Sequence, residues 1–189
     1  IEEWGRFAEA IGVDLFEVIQ AIRVRPTHNN IRQPGFGVGG YCLTKDPIAQ
    51  IISADEFYGL EEFQFPFSSM AMEVNSSMPS VTLKKVQMLL GGSFAGKKIL
   101  LLGISYRPEV GDTRFSPSET FVRLVREDGG EIISHDPVVT FWEELGVKVD
   151  RDMPSPEFFD AVILAVPHSF YKVFDYKGWL GNHRPLIFD

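Results

Sequence analysis

Cysteine, net positive charge and long apolar runs are all scarce in this sequence. Its single cysteine, Cys42, excludes an internal disulfide and suits a reducing compartment such as the cytoplasm. The formal net charge of -8 argues against a surface that follows nucleic-acid phosphates. The longest apolar run, Ile99 to Ile104, is much too short for a membrane span. The acidic, amphipathic start of the chain does not resemble a signal peptide.

The composition present is that of an ordinary globular protein. The 189 residues are 44% hydrophobic and 23% charged, which is enough for one large domain or two small ones with a real core. Ile1 falls inside a helical pattern with no cap before it, and residues 185–189 read as a strand at the edge of a site. We therefore expect this chain to be a piece of a longer protein.

The first part of the chain, residues 1–92, has the periodicity of helices. Apolar residues recur at intervals of three and four within the first eleven positions, which predicts one amphipathic helix. Asp14 predicts the N-cap of a second helix, with Glu17 three residues later as in a capping box. A loop rich in proline, asparagine and glycine follows over residues 23–40. Loops of that length in compact domains are usually functional.

Two further helices are expected before residue 92. Asp46 followed by Pro47 indicates an N-cap and a first helical position. A longer helical stretch runs from about residue 68 to residue 90, where Pro79 predicts a kink or a restart. The turn Gly91-Gly92-Ser93 ends it and marks the expected domain boundary.

The second part, residues 93–189, alternates strands with helices. Helices are expected after Ser116-Pro117 and near residues 141–145. Short apolar segments predict strands over residues 98–103, 131–134, 147–149, 160–166 and 186–188. Such alternation is typical of a parallel, doubly wound sheet. The predicted fold class is α/β, with a helical domain over residues 1–92 and a Rossmann-like domain over residues 93–189.

One segment indicates chemistry: Pro34-Gly-Phe-Gly-Val-Gly-Gly-Tyr-Cys-Leu-Thr-Lys-Asp-Pro47. Its glycines allow positive φ and let backbone N–H groups approach a ligand. Cys42 follows them just ahead of the expected helix start, where the helix N-terminus and Lys45 both favour thiolate. Asp46 is close enough to orient or deprotonate a water beside the sulfur. Together these features suggest covalent catalysis on a phosphorylated substrate.

Each of these features also has a structural explanation. A lone cysteine is more often a small buried hydrophobe than a nucleophile, and Asp46 before Pro47 is explained by capping alone. The glycine loop does not follow a strand, so it is not a dinucleotide fingerprint. Asp136 follows a strand, but the first turn lacks G-x-G-x-x-G, which indicates a structural role. The four histidines show no metal-ligand spacing, and we assign no metal site. The clustering of the thiol, the carboxylate and the glycines within fourteen residues favours catalysis.

Two motifs resemble those of a known family. The segment Gly35 to Cys42, with Lys45 and Asp46, is similar to the signature of the UDP-glucose/GDP-mannose dehydrogenase family. Residues 102–117, followed by His135-Asp-Pro137, resemble the start of that family's UDP-binding domain. The resemblance implies central and C-terminal domains without the N-terminal NAD-binding domain.

The resemblance also implies an activity. Such enzymes use NAD to oxidise the C6 alcohol of a nucleotide-sugar to a carboxylate in two hydride transfers through a cysteine thioester. Cys42 is then the nucleophile, and Asp46 assists the water or the proton transfers. A UDP-sugar is the implied substrate, a homodimer through the central helices the implied assembly, and polysaccharide precursors the implied products. The isolated chain is expected to be inactive, because one hydride-acceptor site is missing.

Further site residues follow from the same resemblance. Arg25, with Arg32 as second candidate, would reach a neighbouring subunit's site, and Arg114 and Lys45 would contact the cofactor. The implied substrate contacts are Gln33, Gly35, Phe36, Gly37, Val38, Gly39, Tyr106 and Arg107. Arg107 and Arg114 could instead form surface ion pairs, and Tyr106 could pack against the sheet. Tyr41 stands where relatives often have Ser or His, and Arg107 where many have Lys, so the sugar is left open.

A second hypothesis comes from a different class of protein. In it the chain is a non-catalytic nucleotide-sugar-binding or dimerisation module, and Cys42 is a packing residue. Thiol reactivity separates the two, since an activated Cys42 should alkylate faster than glutathione and a buried one slower. A module that binds only NAD is a third hypothesis, disfavoured by the missing fingerprint.

Overall fold

A computed structural model describes residues 1–189 and has the predicted α/β class. Short 3-10 turns lie at Pro26–His28 and Pro156–Phe158. The helices are α1 Glu2–Ala10, α2 Leu15–Arg23, α3 Tyr41–Glu56, α4 Pro66–Leu89, α5 Pro117–Glu127, α6 Ser169–Val173 and α7 Tyr176–Leu180. The strands are β1 Lys98–Leu102, β2 Glu131–His135, β3 Phe141–Trp142, β4 Val147–Lys148, β5 Ala161–Leu164 and β6 Leu186–Phe188.

Four of the strands form one parallel sheet in the order β2-β1-β5-β6, and β3 pairs with β4 in a separate antiparallel hairpin. In the central strand, Leu100 lies opposite Ile133 of β2 and Val162 of β5. The parallel sheet confirms the predicted fold class. Its central strand carries a continuous apolar run because both faces of the sheet are covered.

The two faces of β1 contribute to two different cores. Ile99 and Leu101 belong to the larger core, which includes Phe121 of α5 and Val86 of α4. Leu100 and its even-numbered neighbour Leu102 belong to the opposite core, with Tyr171 of α6. Successive strand residues point to opposite faces of the sheet, so the two cores lie on opposite faces. Each core includes a helix, and the sheet is therefore covered by helices on both sides.

The helical part has a smaller core of its own. Ala8, Leu15 and Ile19 are buried between α1 and α2. The long helix α4 connects this part to the sheet, since Val86 in its last turn is fully buried in the larger core. The predicted boundary at Gly91-Gly92 is a turn in which both glycines have positive φ, of 94° and 104°. The division at residue 92 itself stays a proposal.

The predicted N-cap at Asp14 and the predicted helix start at Ser116-Pro117 are confirmed. The Asp14 carboxylate accepts hydrogen bonds from the amides of Phe16 at 2.8 Å and Glu17 at 3.4 Å. The Glu17 side chain makes no return bond, so the capping box is half formed. Ser116 caps α5 by accepting from the amide of Ser118 at 3.3 Å.

The predicted start of the third helix at Asp46-Pro47 is wrong. Helix α3 begins at Tyr41, six residues before the predicted first helical position Pro47, with Gly40 as its N-cap and Pro47 in its interior. The hydroxyl of Thr44 donates to the Gly40 carbonyl oxygen at 2.6 Å, which ties the first turn to the glycine. Contacts of Gly40 with the sheet domain set this start, and local capping preference does not.

Two other local predictions need correction. Of the kink or restart expected at Pro79, the restart does not occur, since helix α4 continues through Pro79 with Met78 and Pro79 both buried. The helix expected near residues 141–145 is instead strand β3, and the hairpin with β4 buries Trp142 completely. Helices α6 and α7 were not predicted. No helix is long and apolar enough to cross a membrane.

Candidate active site

The cysteine lies in the first turn of α3. Cys42 is exposed and is the second residue of the helix. Gly40 turns the chain into the helix with a φ of 85°, a value that a side-chain-bearing residue rarely adopts. No side chain caps α3. The amides of its first turn therefore have no partner within the helix, and their partial positive charge faces the same region as the thiol.

Cys42 and Asp46 share one face of α3. They are four residues apart in the same helix, which places their side chains one turn from each other. The Asp46 carboxylate pairs with the Lys45 ammonium at 3.2 Å, and both side chains are largely exposed. The hydrogen bond and the charge of Asp46 raise the pKa of Lys45. The helix therefore brings the predicted nucleophile and the predicted proton-transfer group together in solvent.

Three backbone amides of the glycine loop donate hydrogen bonds to three different parts of the protein. The amide of Gly35 donates to the Glu2 carboxylate of α1 at 3.1 Å, and the amide of Val38 donates to Asn75 Oδ1 of α4 at 2.6 Å. The amide of Gly40 donates to the Arg114 carbonyl oxygen at 3.2 Å.

The amides between these attachment points are free. Phe36, Gly37 and Gly39 have no hydrogen-bond acceptor for their backbone N–H groups within the protein. Several unpaired amides in a loop beside a helix N-terminus form an arrangement that suits an anionic ligand.

The side chain of Phe36 fastens the loop. Its ring meets Phe121 edge-on at 5.1 Å between centroids and packs against the larger core. Val38 remains exposed. Both Phe36 and Val38 were predicted to contact substrate. Because the Phe36 ring packs in the core, only the backbone of Phe36 can contact a ligand.

The two glycines before the helix touch the sheet domain. A Cβ on Gly39 would lie 2.6 Å from the Phe115 carbonyl oxygen, and one on Gly40 would lie 2.9 Å from Tyr106 Cδ2. Only glycine fits at either position. These contacts join the two sequence motifs at the connection between β1 and α5.

Two cations lie near the ring of Tyr41. Lys45 Nζ lies 4.9 Å and Arg114 Cζ 5.8 Å from the centre of its ring. The Arg114 guanidinium also pairs with both carboxylate oxygens of Asp112, at 2.6 to 3.2 Å. This hydrogen bonding lowers the pKa of Asp112. Arg114 is thus both in an ion pair, as the structural alternative expected, and directly beside the cysteine helix.

The remaining predicted residues are less closely linked to the loop. Tyr106 is half-buried against Gly40, which accounts for its packing. Arg107 is exposed and its side chain has no ion pair, so it is free to meet a ligand. Arg25 and Gln33 are exposed, and no hydrogen bond or ion pair connects their side chains to the glycine loop; the same is true of Arg32.

Asp136 has the structural role that the sequence indicated. It is 0% exposed and accepts from the amides of Ile104 at 2.9 Å and Val138 at 2.9 Å. His168 Nε2 lies 3.2 Å from Asp136 Oδ2, the oxygen that also accepts from Ile104, and His168 Nδ1 accepts a hydrogen bond from the Glu109 amide. Burial opposes ionisation, but these hydrogen bonds prevail and lower the pKa of Asp136 to about 2. Because the carboxylate is buried and its oxygens already accept hydrogen bonds that stabilise the β1–α5 connection, it cannot bind a ribose.

Sequence reasoning missed four residues that build this region: Glu2, Asn75, Asp112 and His168. Each acts through a contact distant in sequence or through a loop conformation, so periodicity does not reveal it. Asn75 had one available signal, since an asparagine inside a helix is unfavourable and Pro79 follows four residues later. No group of three or more potential metal-ligating side chains is present.

Models of two domains of one known protein family match the two parts of the chain. The model for the UDP-binding domain of the UDP-glucose/GDP-mannose dehydrogenase family matches residues 100–189, and that for the central domain of the same family matches residues 1–77. A UDP-N-acetyl-D-mannosamine dehydrogenase from Pyrococcus horikoshii is 29% identical over 98% of this chain and 42% of its own length.

Solved structures of nucleotide-sugar dehydrogenases have the same fold as this chain. An NDP-N-acetyl-D-galactosaminuronic acid dehydrogenase from Methanosarcina mazei superposes with a TM-score of 0.82 at 26% identity, over 98% of this chain and 42% of that one. A UDP-glucose dehydrogenase from Pyrobaculum islandicum gives 0.74 at 28% identity, over 93% and 41%. The chain thus spans about two fifths of the length of these relatives.

Proposed function

This chain belongs to the UDP-glucose/GDP-mannose dehydrogenase family, and from that premise we propose that it carries the nucleophile and the nucleotide-binding domain of an NAD-dependent nucleotide-sugar 6-dehydrogenase. The observation that supports this most directly is the exposed thiol of Cys42 in the uncapped first turn of α3. An exposed thiol does not fit the alternative in which the cysteine is a packing residue.

The proposed substrate is a UDP-sugar. The free amides of Phe36, Gly37 and Gly39 provide donors for phosphate or sugar oxygens, and the unpaired guanidinium of Arg107 provides positive charge in an otherwise acidic protein. The related proteins act on UDP-N-acetyl-D-mannosamine or UDP-glucose according to their names. Tyr41 and Arg107 are the residues at which we expect the sugar to be selected.

Cys42 is the proposed covalent catalyst. Its sulfur attacks the C6 aldehyde carbon, a C–S bond forms, and the carbonyl electron pair moves to oxygen and takes up a proton. After oxidation to the thioester, water adds to the same carbon, the C–S bond breaks, and the sulfur leaves as thiolate. Asp46, on the same helix face, accepts the proton of the attacking water. Free thiol chemistry of this kind fits a reducing cytoplasm.

NAD, when bound, accepts the two hydrides. The residues of this chain fit part of its site, since Arg114 is exposed beside the cysteine helix and Lys45, like Arg114, lies near the Tyr41 ring. The β1–α5 connection does not provide a dinucleotide site of its own, because Asp136 is buried and fully hydrogen-bonded. We therefore propose that this chain supplies pyrophosphate contacts only.

The proposed assembly is a homodimer through the helical part. Trp4 is 56% exposed and Phe7 66% exposed, and together with Ile11, Val13 and Val18 they line an apolar groove of about 310 Å³. A groove lined entirely by apolar side chains is typical of an interaction surface.

Calorimetric titration tests the nucleotide site. The chain is titrated with UDP-glucose, UDP-N-acetylglucosamine, UDP-N-acetylmannosamine and GDP-mannose. We expect saturable binding of one UDP-sugar, weakened at least about tenfold by Arg107→Ala, since a lost charge-assisted contact is worth about 1.5–3 kcal/mol. Arg126→Ala is the matched control, because Arg126 is also an exposed arginine but lies in the last turn of α5, at the end of that helix away from the β1–α5 connection. Equal losses in both variants, or binding of none of the four sugars by the chain, would contradict the proposal.

Alkylation of Cys42 tests the catalytic role separately. We expect iodoacetamide to modify Cys42 faster than it modifies glutathione at neutral pH. Strong nucleotide-sugar binding combined with a slow thiol would favour the non-catalytic binding module instead.

A further inference from the structure

Asn75 makes an unusual pair of contacts with the glycine loop. Its Oδ1 accepts from the Val38 amide at 2.6 Å, and its Nδ2 donates to the Val38 carbonyl oxygen at 2.8 Å. One side-chain amide thus satisfies both backbone polar groups of a residue 37 positions away. Pairing of this kind fixes the orientation of the peptide units on both sides of Val38.

The backbone of Asn75 also faces the loop. Pro79 has no N–H to donate to the Asn75 carbonyl oxygen, which would be its partner in a regular helix. That oxygen lies 3.1 Å, and Asn75 Oδ1 3.3 Å, from where a Cβ on Gly37 would be. Gly37 has a φ of 112°. The interior proline thus leaves a notch on α4 against which a glycine with positive φ can lie.

The position of this contact along the loop is informative. It falls between the attachment at Gly35 and the attachment at Gly40, and the free amides of Phe36, Gly37 and Gly39 lie on both sides of it. Without it, the four residues from Phe36 to Gly39 would make no hydrogen bond to the rest of the protein, and only the Phe36 ring and the packing of Gly39 against Phe115 would hold them. Four glycines in or beside that run would then give the backbone wide conformational freedom.

We propose that Asn75 is a positioning residue that docks Val38 on α4 and so holds the free amides of the glycine loop in the geometry that receives a nucleotide-sugar. The ligand part of this inference rests on the proposed function; the docking of the loop does not. Asn75 touches no substrate in this scheme and acts through Val38 and Gly37. The Pro79 notch makes the close approach possible.

Amide hydrogen exchange, followed by NMR on the whole chain, tests the docking. In Asn75→Ala we expect the Val38 amide to exchange at least about tenfold faster, since its acceptor is lost. Asn75→Asp keeps an acceptor for that amide but loses the donor to the Val38 carbonyl, and an intermediate rate is expected. Ser76→Ala, the next residue of α4, is the control and should leave the rate within about twofold. An unchanged Val38 rate in both Asn75 variants overturns the docking role.

Calorimetry on the same variants tests the consequence for binding. At a temperature where thermal melting shows both proteins folded, Asn75→Ala should raise the dissociation constant of the UDP-sugar at least about tenfold, and Ser76→Ala should not. A faster Val38 amide with unchanged affinity would show that Asn75 is only structural, and would overturn the positioning role while leaving the proposed function intact. Failure of the unsubstituted chain to bind any of the four sugars, with a faster Val38 amide in Asn75→Ala, would overturn the proposed ligand and leave the docking.

Discussion

The helical part and the sheet part of this molecule differ in how they use their apolar residues. Residues 1–92 contribute six of the 25 buried apolar side chains but 21 of the 28 exposed large ones. The sheet part, of similar length, has the opposite distribution. Burial of apolar area is the main source of folding stability, so most of that stability comes from the sheet part, and the exposed apolar residues of the helical part need other surfaces to cover them.

The candidate site lies where these two parts meet. The glycine loop attaches to α1 and α4 on one side and to the β1–α5 connection on the other. The sheet part therefore provides a surface against which the end of the glycine loop packs, and the helical part carries the cysteine. The following predictions test this division of roles, from the largest expected effect to the smallest.

Truncation of a buried ring in the sheet part should have the largest effect. Phe121 is fully buried and contacts the rings of Phe36 and Phe94, so Phe121→Ala should lower the free energy of unfolding by about 3–5 kcal/mol. Phe67 of α4 is 84% exposed, and Phe67→Ala should cost less than about 1 kcal/mol. Urea denaturation followed by circular dichroism measures both. Similar losses in the two variants would remove the contrast between the parts.

Charges placed on the apolar groove should separate the proposed dimer. The double variant Trp4→Glu/Phe7→Glu puts two carboxylates where an apolar partner face is expected, and we predict at least about a hundredfold weaker self-association by analytical ultracentrifugation. Phe158→Glu, on an exposed residue of the sheet part, is the control. If the unsubstituted chain is monomeric at all concentrations, or if the control dissociates it equally, the groove is not the dimer interface.

Acid should destabilise the sheet part through Asp136. Its pKa is lowered to about 2 from 3.8, so the ionised group stabilises the fold above pH 4, and this contribution is lost as the pH falls through 2. The expected loss is about 2 kcal/mol. Glu2 of the helical part behaves oppositely, since burial raises its pKa and acid does not remove stability there.

The measurement is urea denaturation at a series of pH values. The loss between pH 4 and pH 2 should be smaller by about 2 kcal/mol in Asp136→Asn, which does not titrate. Glu2→Gln is the control and should keep the full loss. A profile of Asp136→Asn parallel to that of the unsubstituted chain would show that this carboxylate is not the acid-sensitive group.

Removal of a helix cap should have the smallest effect on stability, and the two caps should differ in whether the loss appears in local or in global unfolding. Asp14→Ala and Ser116→Ala each remove one cap, at a cost of about 1 kcal/mol. Ser116 is buried in the sheet part, so its loss should appear in global unfolding. Asp14 is exposed in the helical part, and its loss should appear mainly as faster amide exchange in α2. A global loss from Asp14→Ala equal to that from Ser116→Ala would show that the two parts unfold as one unit.

Much of the fold and of the site could be predicted because the relevant signals are local. The apolar run at Ile99 to Leu102 predicted the central strand, and Ser116-Pro117 predicted the start of α5. Where contacts distant in sequence overrode a local signal, the prediction failed. Asp46-Pro47 has the local form of a helix start, yet α3 begins at Tyr41 because Gly39 and Gly40 pack against Phe115 and Tyr106.

The sequence by itself determined which residues could do chemistry: one thiol, its neighbouring carboxylate and a chain of glycines, all within fourteen residues. Its local patterns also determined the alternation of strands and helices that makes the sheet doubly wound. Only the tertiary structure decided how these residues are held. Asn75 meets Val38 across 37 positions, and Asp136 is withdrawn into a buried network with His168. Such contacts depend on the relative placement of whole elements, and placement is set by the packing of the core, which no short segment of sequence encodes.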